Sequence, residues 1–299
     1  MKLSIIIVSY NTKELLQKCL DSLVSSYSHE FNTKLYEIIV VDNNSIDDSA
    51  AFIQSKFPQV ILIQNKTNQG FSKANNAGVK KSKGTYVLFL NPDTEVNKNT
   101  LLYMLDFMEK NPNVGVLTCQ VLLPDGKLDD ASHRGFPTPW RALCHFSGLG
   151  KLFPHSLLFD GYHLGYKNMN VAHEIDACAG AFLLIRRDAG EKVRWFDEDY
   201  FWYGEDLDLC FKVKKEGWKI MYVPDVSILH HKGAASGFKK RTAHLAKIDE
   251  ETKKKITQAR FNVMRIFYKK HYQRVYPQWV TTIVLWGIIV KQKLTESGG

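Results

Sequence analysis

The chain lacks the loops and paired cysteines that mark several common ligand sites. Its 299 residues contain neither the GxGxxG loop of dinucleotide-binding proteins nor the GxxxxGK[ST] loop of P-loop proteins. Its five cysteines are scattered and include no CxxC pair. This spacing argues against a zinc site or a redox pair, and it favours reduced thiols in a cytoplasmic protein.

Long apolar runs are also absent. The run at residues 3–8 is too short for the core of a secretory signal, so we expect no signal peptide. Near the C-terminus, residues 279–290 form an apolar run of twelve residues. A helix of that length reaches about 18 Å, whereas the hydrocarbon core of a bilayer is about 30 Å thick. We therefore expect no complete crossing of a membrane.

Positive charge is concentrated in the C-terminal part of the chain. Residues 239–299 contain 14 Lys and Arg against 4 Asp and Glu, whereas residues 1–238 contain 26 against 27. The main body is therefore nearly neutral, which argues against nucleic-acid binding. The basic part is suited to an anionic partner.

The basic part also has the periodicity of an amphipathic helix. Ile256, Ala259, Val263, Ile266 and Phe267 recur at helical spacing among lysines and arginines. Together with the Trp-bearing run at 279–290, this pattern is typical of a helix that lies on an anionic membrane. The alternative is a helix that packs on the main domain. We predict a main domain at 1–238 and a helical extension at 239–299, with a membrane contact through 239–293.

Apolar runs and helical patterns alternate along the first 100 residues. Strands are predicted at 3–8, 37–41, 60–63 and 87–90, and helices are predicted between them. This alternation with short loops predicts an α/β fold with a doubly wound, mostly parallel sheet. Further on, strands are predicted at 115–123, 181–185, 219–223 and 226–229. Residues 127–172 are irregular, and we expect loops, short helices and a mobile lid there.

Short polar side chains follow each of the first four predicted strands. They are Ser9, Asn11, Asp42, Asn43, Ser45, Asn68, Asn91 and Asp93. Because the carboxyl ends of parallel strands lie along one edge of a sheet, these side chains are expected to meet. Any one of them alone is equally explained as a turn. Together they predict a site for a polar ligand that forms many hydrogen bonds.

A second cluster combines aromatic and acidic residues. Glu205, Asp206 and Asp208 open a predicted helix directly after the aromatic segment 195–203. A helix N-terminus favours acids, but three acids within four positions repel one another unless a ligand or metal uses them. Further on, His230 follows a predicted strand. It is a candidate metal ligand, with a purely structural histidine as an equal alternative.

These motifs, in this order, resemble those of the family 2 inverting glycosyltransferases with the GT-A fold, in particular the rhamnosyltransferase-like branch of bacterial cell-envelope synthesis. The matching stretches are VSYN at 8–11, VVDNNSID at 40–47, NQGFSKANNAG at 68–78, LFLNPD at 88–93, FDEDYFWYGEDLDLCFK at 196–212 and HHKGAAS at 230–236. The resemblance implies transfer of a sugar from a nucleoside diphosphate donor, best dTDP-L-rhamnose, with inversion. The implied acceptor is a cell-envelope glycan or a polyprenyl-diphosphate-linked sugar at the inner face of the membrane.

The resemblance also implies roles for individual residues. Asp206 would be the catalytic base, Glu205 would bind acceptor or donor sugar, and Asp208 would cap the helix. Asp93 and His230 would bind Mg²⁺ or Mn²⁺, although Asn91 stands where the commoner family motif has a second acid. The donor site would comprise Ser9, Tyr10, Asn11, Asp42, Asn43, Ser45, Asn68, Gly70, Phe71, Asn75, Asn91 and Asp93.

Two other functions remain open at this point. A sugar-phosphate nucleotidyltransferase also uses a nucleotide-binding α/β sheet, although the chain lacks the Gly-rich N-terminal loop of that class. A non-catalytic module that binds membrane surfaces would account for the basic extension alone.

Overall fold

The computed structural model describes residues 1–233 and 250–297, which form a mixed sheet with helices on both faces. The strands are β1 (Leu3–Ser9), β2 (Tyr36–Asp42), β3 (Ile61–Gln64), β4 (Tyr86–Leu90), β5 (Thr94–Val96), β6 (Val114–Leu122), β7 (His173–Glu174), β8 (Phe182–Arg186) and β9 (Lys219–His230). The helices are α1 (Lys13–Ser26), α2 (Ser28–Asn32), α3 (Ser49–Lys56), α4 (Phe71–Lys81), α5 (Thr100–Lys110), α6 (Pro139–Ser147), α7 (Leu149–Leu152), α8 (Arg187–Lys192), α9 (Glu205–Lys215), α10 (Glu250–His271) and α11 (Gln278–Ser297), with a 3₁₀ turn at Asp130–Ser132.

The sheet has the strand order β3-β2-β1-β4-β8-β6-β9-β5, and β7 also pairs with β9. β1 to β4 are mutually parallel, and β6 is parallel to β9. β8 runs antiparallel between β4 and β6, and β5 and β7 run antiparallel to β9. The predicted α/β fold with a doubly wound, mostly parallel sheet is confirmed.

Two apolar cores cover the two faces of the sheet. In β1, Leu3, Ile5 and Ile7 face the core that contains α1 and α5, whereas Ile6 and Val8 face the core that contains α4 and α9. A strand that is buried on both faces needs apolar residues at every position, because successive side chains point to opposite sides. This explains why the central strands are continuous apolar runs in the sequence.

The C-terminal part of the sheet differs from the prediction in one respect. Residues 219–230 form the single strand β9 instead of two strands. Its pairing with β6 shifts register between Val223 and Ser227, opposite Cys119 and Gln120. Pro224 lies in this shift and has no N–H for the ladder, so a bulge keeps the strand continuous where the sequence suggested a break. Residues 127–172 contain loops and the short helices α6 and α7, as predicted.

The two C-terminal helices pack on the main domain. Phe267, Tyr268 and Tyr272 belong to the same core as α4 and α9. The His271 imidazole Nε2 lies 2.6 Å from an Asp208 carboxylate oxygen of α9. This packing is the alternative that the amphipathic pattern left open for α10. The predicted boundary at 238/239 lies outside the described residues, so the division into two domains stays a prediction.

The contact between α10 and α9 gives a test of whether the extension belongs to the folding unit of the main domain. His271→Ala removes a hydrogen bond to the buried Asp208 carboxylate, so we expect a loss of about 1–3 kcal/mol in the free energy of unfolding, measured by urea titration. Lys269→Ala, at an exposed position of the same helix, is the control and should leave the midpoint unchanged. Equal midpoints for the two variants would contradict a shared folding unit.

Candidate functional site

The ends of β1 and β2 meet at the carboxyl edge of the sheet. Ser9 pairs with Asp42 in the parallel register of the two strands, and both are buried. The Ser45 hydroxyl accepts the backbone N–H of Asn11 at 2.9 Å, and the Asp42 carboxylate accepts that of Ser45 at 3.0 Å. Tyr10 lies half-buried beside them. These five candidate residues therefore form one polar cluster.

The loop after β3 joins this cluster through amide side chains. The Asn43 amide donates to Asn68 Oδ1 at 2.7 Å, and Asn68 Oδ1 also accepts the Gly70 N–H at 3.0 Å. Gly70 has φ 81°, and a Cβ there would come within 2.5 Å of the Phe201 carbonyl oxygen. Both the backbone conformation and the close contact require glycine at this position.

The first turn of α4 connects the donor-side loops to the aromatic segment before α9. The Phe71 N–H donates to the Phe201 carbonyl at 2.8 Å, and the buried Asn75 amide donates to the Phe71 carbonyl at 3.0 Å. The Phe71 ring lies so close to Gly180 that a Cβ there would be 3.3 Å away. The candidate donor residues therefore reach the loop that precedes β8.

That loop lies between the two groups of acidic residues that the sequence singled out. The Asn91 N–H donates to the Ala181 carbonyl at 3.3 Å, and the Gly180 N–H donates to Asp206 Oδ2 at 3.3 Å. Gly180 and Ala181 therefore contact both the segment after β4, which carries Asn91 and Asp93, and the start of α9. Through this loop the polar strand-end residues adjoin the acidic residues of α9.

Asp206 and its neighbour Glu205 differ in their partners. An Arg134 guanidinium nitrogen lies 2.9 Å from Asp206 Oδ2, and both side chains are largely buried. Burial and the neighbouring Asp206 raise the pKa of Glu205 to about 8. At neutral pH Glu205 is therefore mostly protonated, and Arg134 orients the Asp206 carboxylate.

The prediction that Asp208 caps α9 is wrong. Its carboxylate is buried and turned toward α10, where His271 lies 2.6 Å away, and Lys212 of α9 lies 2.9 Å away. The N-cap position is Gly204, in the left-handed conformation at φ 81°. Burial raises the pKa of Asp208, but the His271 hydrogen bond and Lys212 outweigh it and leave the pKa below its usual value. Asp208 therefore joins α9 to the C-terminal extension.

His230 lies between two carboxylates. β5 pairs with β9 so that Thr94 lies opposite His230, which brings the imidazole Nε2 to 3.4 Å from Asp93 Oδ1. The other ring nitrogen, Nδ1, lies 3.0 Å from Asp129 Oδ2. Burial lowers the pKa of His230, but Asp93 and Asp129 outweigh it and raise the pKa to about 9. The His230 imidazole is therefore protonated at neutral pH.

The residues present fit a divalent cation at this point. A carboxylate and an imidazole nitrogen face each other, and the imidazole is fixed from behind by Asp129, as is usual for metal-binding histidines. Within residues 1–233 and 250–297, no group of three or more His, Cys, Asp or Glu could hold a metal by itself. A cation here would need further oxygen ligands from a substrate, which suits Mg²⁺ or Mn²⁺ with a diphosphate.

Two residues of the site were not found by sequence reasoning. Arg134 and Asp129 come from the irregular segment 127–172, far in sequence from Asp206 and His230, whose side chains they contact. Neither lies in a motif with a recognisable spacing. Their positions depend on long-range contacts, such as the backbone bonds between Arg134 and Ala177.

Two curated relatives are similar to most of the chain. The N-acetylglucosaminyl-diphospho-decaprenol L-rhamnosyltransferase of Mycobacterium tuberculosis (strain H37Rv) is 28% identical over 255 residues, which cover 82% of this chain and 80% of that protein. The rhamnosyltransferase WbbL of Escherichia coli (strain K12) is 29% identical over 238 residues, which cover 76% of this chain and 82% of that protein.

Solved structures share the fold at lower identity. Residues 1–349 of S. aureus TarS superpose with a TM-score of 0.55 at 17% identity, covering 98% of this chain and 81% of that chain. GalNAc-T7, crystallised with UDP, GalNAc and Mn²⁺, superposes with a TM-score of 0.56 at 18% identity, covering 77% of this chain and 43% of that chain. The architecture is the GT-A fold of these transferases.

The model of glycosyl transferase family 2 matches residues 4–194, which include the strand ends and the loop at Gly180 and Ala181. This match spans more than half of the chain and agrees with both relatives and with the fold. The chain belongs to glycosyl transferase family 2 and is a glycosyltransferase.

Proposed function

We propose that this glycosyltransferase transfers L-rhamnose from dTDP-L-rhamnose, with inversion, to a hydroxyl of a cell-envelope glycan or of a polyprenyl-diphosphate-linked sugar. The observation that carries the proposal is that Asp206 adjoins the strand-end group across Gly180 and Ala181. Two relatives that are named rhamnosyltransferases support the donor. Membership of the family sets aside the nucleotidyltransferase and the non-catalytic module.

The donor would lie over the carboxyl ends of β1, β2 and β4. Asp42 would accept hydrogen bonds from the base or ribose, and Ser9, Asn11 and Asn43 would shape the pocket with their short polar side chains. The remaining donor-site residues would be Tyr10, Ser45, Asn68, Gly70, Phe71, Asn75, Asn91 and Asp93. Polar side chains at such strand ends are suited to a ligand rich in oxygens.

The diphosphate end of the donor would approach Asp93 and His230. These two residues would hold Mg²⁺ or Mn²⁺, which neutralises negative charge on the departing diphosphate. Asn91 contributes an amide in place of a second carboxylate.

The transfer itself needs one base on the acceptor side. The acceptor hydroxyl oxygen would form a bond to C1 of the sugar while the bond from C1 to the diphosphate oxygen breaks. The hydroxyl proton would pass to Asp206, and the electron pair of the broken bond would leave with the diphosphate. A single displacement of this kind inverts the anomeric carbon. Glu205, protonated at neutral pH, would donate a hydrogen bond to a sugar oxygen.

The basic extension would hold the enzyme at the membrane. A polyprenyl-linked acceptor lies at a bilayer surface, and the charge of residues 239–299 favours an anionic surface. Among the helices of the described residues, none is long and apolar enough to traverse a bilayer. We propose peripheral binding at the inner face of the cell membrane.

The donor can be tested by thermal unfolding of the enzyme with dTDP, UDP and GDP, each with and without Mn²⁺. We expect dTDP to give the largest rise, about 5 °C at one hundred times its Kd, because only the folded protein binds it. Mn²⁺ should increase the rise. A larger rise with UDP or GDP would contradict the proposed donor, and no rise with any diphosphate would contradict a nucleotide-sugar site.

The metal site can be tested through Asp129, which is held by His230 and by the Lys232 ammonium group. Asp129→Asn weakens the fixation of His230, so we expect Mn²⁺ affinity in the presence of dTDP to fall about 10–100-fold, measured by electron paramagnetic resonance. Asp130→Asn, at the neighbouring exposed position, should bind Mn²⁺ like the wild type. Equal Mn²⁺ affinity in the two variants would show that Asp129 does not support a metal ligand.

A further inference from the structure

α11 has an apolar stripe that the rest of the described structure leaves exposed. Trp279, Ile283 and Trp286 recur at helical spacing and are 60–68% exposed. The opposite side of the helix is attached to the domain, since Thr281 is buried and its hydroxyl lies 3.0 Å from that of Tyr268 on α10. The stripe therefore faces outward on a helix whose other side is already occupied.

A second exposed apolar group lies on α6 and on the segment that follows it. Its members are Trp140, Leu143, Phe146, Leu152, Phe153, Leu157 and Leu158. The group is held together by ordinary contacts: the Trp140 indole N–H donates to the Leu158 carbonyl at 2.9 Å, and the rings of Phe153 and Phe159 lie 5.2 Å apart. So many large apolar side chains on one short segment indicate a binding surface.

The two groups adjoin one another. The Lys291 ammonium group of α11 lies 3.7 Å from the centre of the Phe146 ring on α6. We call the stripe of α11 and the group at 140–158 together the apolar face.

The apolar face is linked to the candidate base by a short series of side chains. The Phe146 ring lies 4.9 Å from His145, and His145 lies 5.0 Å from Tyr162. The Tyr162 carbonyl accepts the N–H of Gly135 at 2.9 Å, and the preceding residue, Arg134, pairs with Asp206 at 2.9 Å. The apolar face is therefore connected to the candidate base through the residues around Tyr162 and Arg134.

Charge identifies the occupant of this face. Lys151 and Lys293 are exposed next to the apolar face, and the Lys291 ammonium group lies on the Phe146 ring within it. The C-terminal extension as a whole is strongly basic. Protein interfaces are depleted in lysine, whereas tryptophan, leucine and lysine together are typical of elements that lie in a membrane interface. An anionic lipid surface matches both the apolar side chains and the charge.

We propose that the apolar face rests on an anionic bilayer and that the segment 140–158 inserts into it beside α11, so that the acceptor reaches Asp206 directly from the membrane surface. This inference rests on the proposed lipid-linked acceptor. It adds the segment 140–158 to the membrane contact that the proposed function assigns to the basic extension.

The test is cosedimentation of the full chain with vesicles of phosphatidylcholine, with and without phosphatidylglycerol. Leu152→Ser with Leu157→Ser removes two side chains that are 72% and 70% exposed, so folding should be unaffected. We expect this double variant to bind phosphatidylglycerol vesicles at least about tenfold more weakly than the wild type. The matched control, Leu35→Ser with Leu102→Ser, replaces two partly exposed leucines outside the apolar face and should bind within about twofold of the wild type.

The outcomes separate the possible occupants. If Trp279→Ser with Trp286→Ser abolishes binding while the Leu152 and Leu157 variant binds like the wild type, only α11 contacts lipid and the inference is overturned. If the wild type does not bind vesicles of either composition, the inference is overturned as well. If the wild type sediments as a dimer and the Leu152 and Leu157 variant sediments as a monomer, the apolar face binds a second copy of the chain instead.

A transfer assay distinguishes failure of this inference from failure of the proposed function. With an acceptor sugar diphosphate on a long polyprenyl chain in vesicles, the Leu152 and Leu157 variant should lose activity about tenfold, in proportion to its vesicle binding. With the same sugar diphosphate on a short water-soluble chain, it should match the wild type. If the wild type uses neither acceptor, the proposed acceptor fails, whereas vesicle binding still decides whether the face contacts lipid.

Discussion

The candidate site depends on the backbone contacts of Gly180 and Ala181. One residue accepts a hydrogen bond from the segment after β4, and the other donates one to Asp206 at the start of α9. These two bonds connect the segment that carries Asn91 and Asp93 to the start of the acidic helix. A donor bound on one side and an acceptor on the other would meet over this loop. Phe71 packs against Gly180, and a Cβ there would lie 3.3 Å from the Phe71 ring.

Local sequence patterns were sufficient to predict the fold and the positions of the strand-end side chains. The central strands are apolar at every position because both faces are buried, and short polar residues follow them, so the strand-end group could be predicted from periodicity alone. Glu205 and Asp206 could be identified as candidates because three acidic residues lie within four positions at the start of a predicted helix. Their environments could not be predicted, because Arg134 reaches Asp206 from 72 residues away in sequence.

The rest of the site arises from contacts between distant segments. The short strand β5 carries too weak a pattern to predict, yet its pairing with β9 places His230 beside Asp93. Asp129 reaches the same histidine from an irregular segment. Asp208 was misassigned for the same reason: its position suggests a helix cap, but its partner His271 lies 63 residues later in the sequence, at the end of another helix.

The two helices of the C-terminal extension differ in how far their apolar residues are covered. α10 packs its aromatic residues into the core beside α9, whereas α11 leaves a tryptophan-bearing stripe exposed. A helix pair of this kind can attach to the domain by one side and present another side to a partner. The contact between Asp208 and His271 connects this pair to the same helix that begins with Glu205 and Asp206.

The central claim is that Asp206 takes the proton of the acceptor hydroxyl as that hydroxyl attacks a donor bound at the strand ends. One variant tests this claim most directly. Asp206→Asn should abolish sugar transfer, because the amide of the variant cannot accept the proton. The affinity for dTDP should stay within about threefold of the wild type, because the proposed nucleotide site does not include this side chain. Asp188→Asn, at an exposed position of α8, is the matched control and should retain full activity. Retained transfer by Asp206→Asn would contradict the assignment of the base and the account built on it.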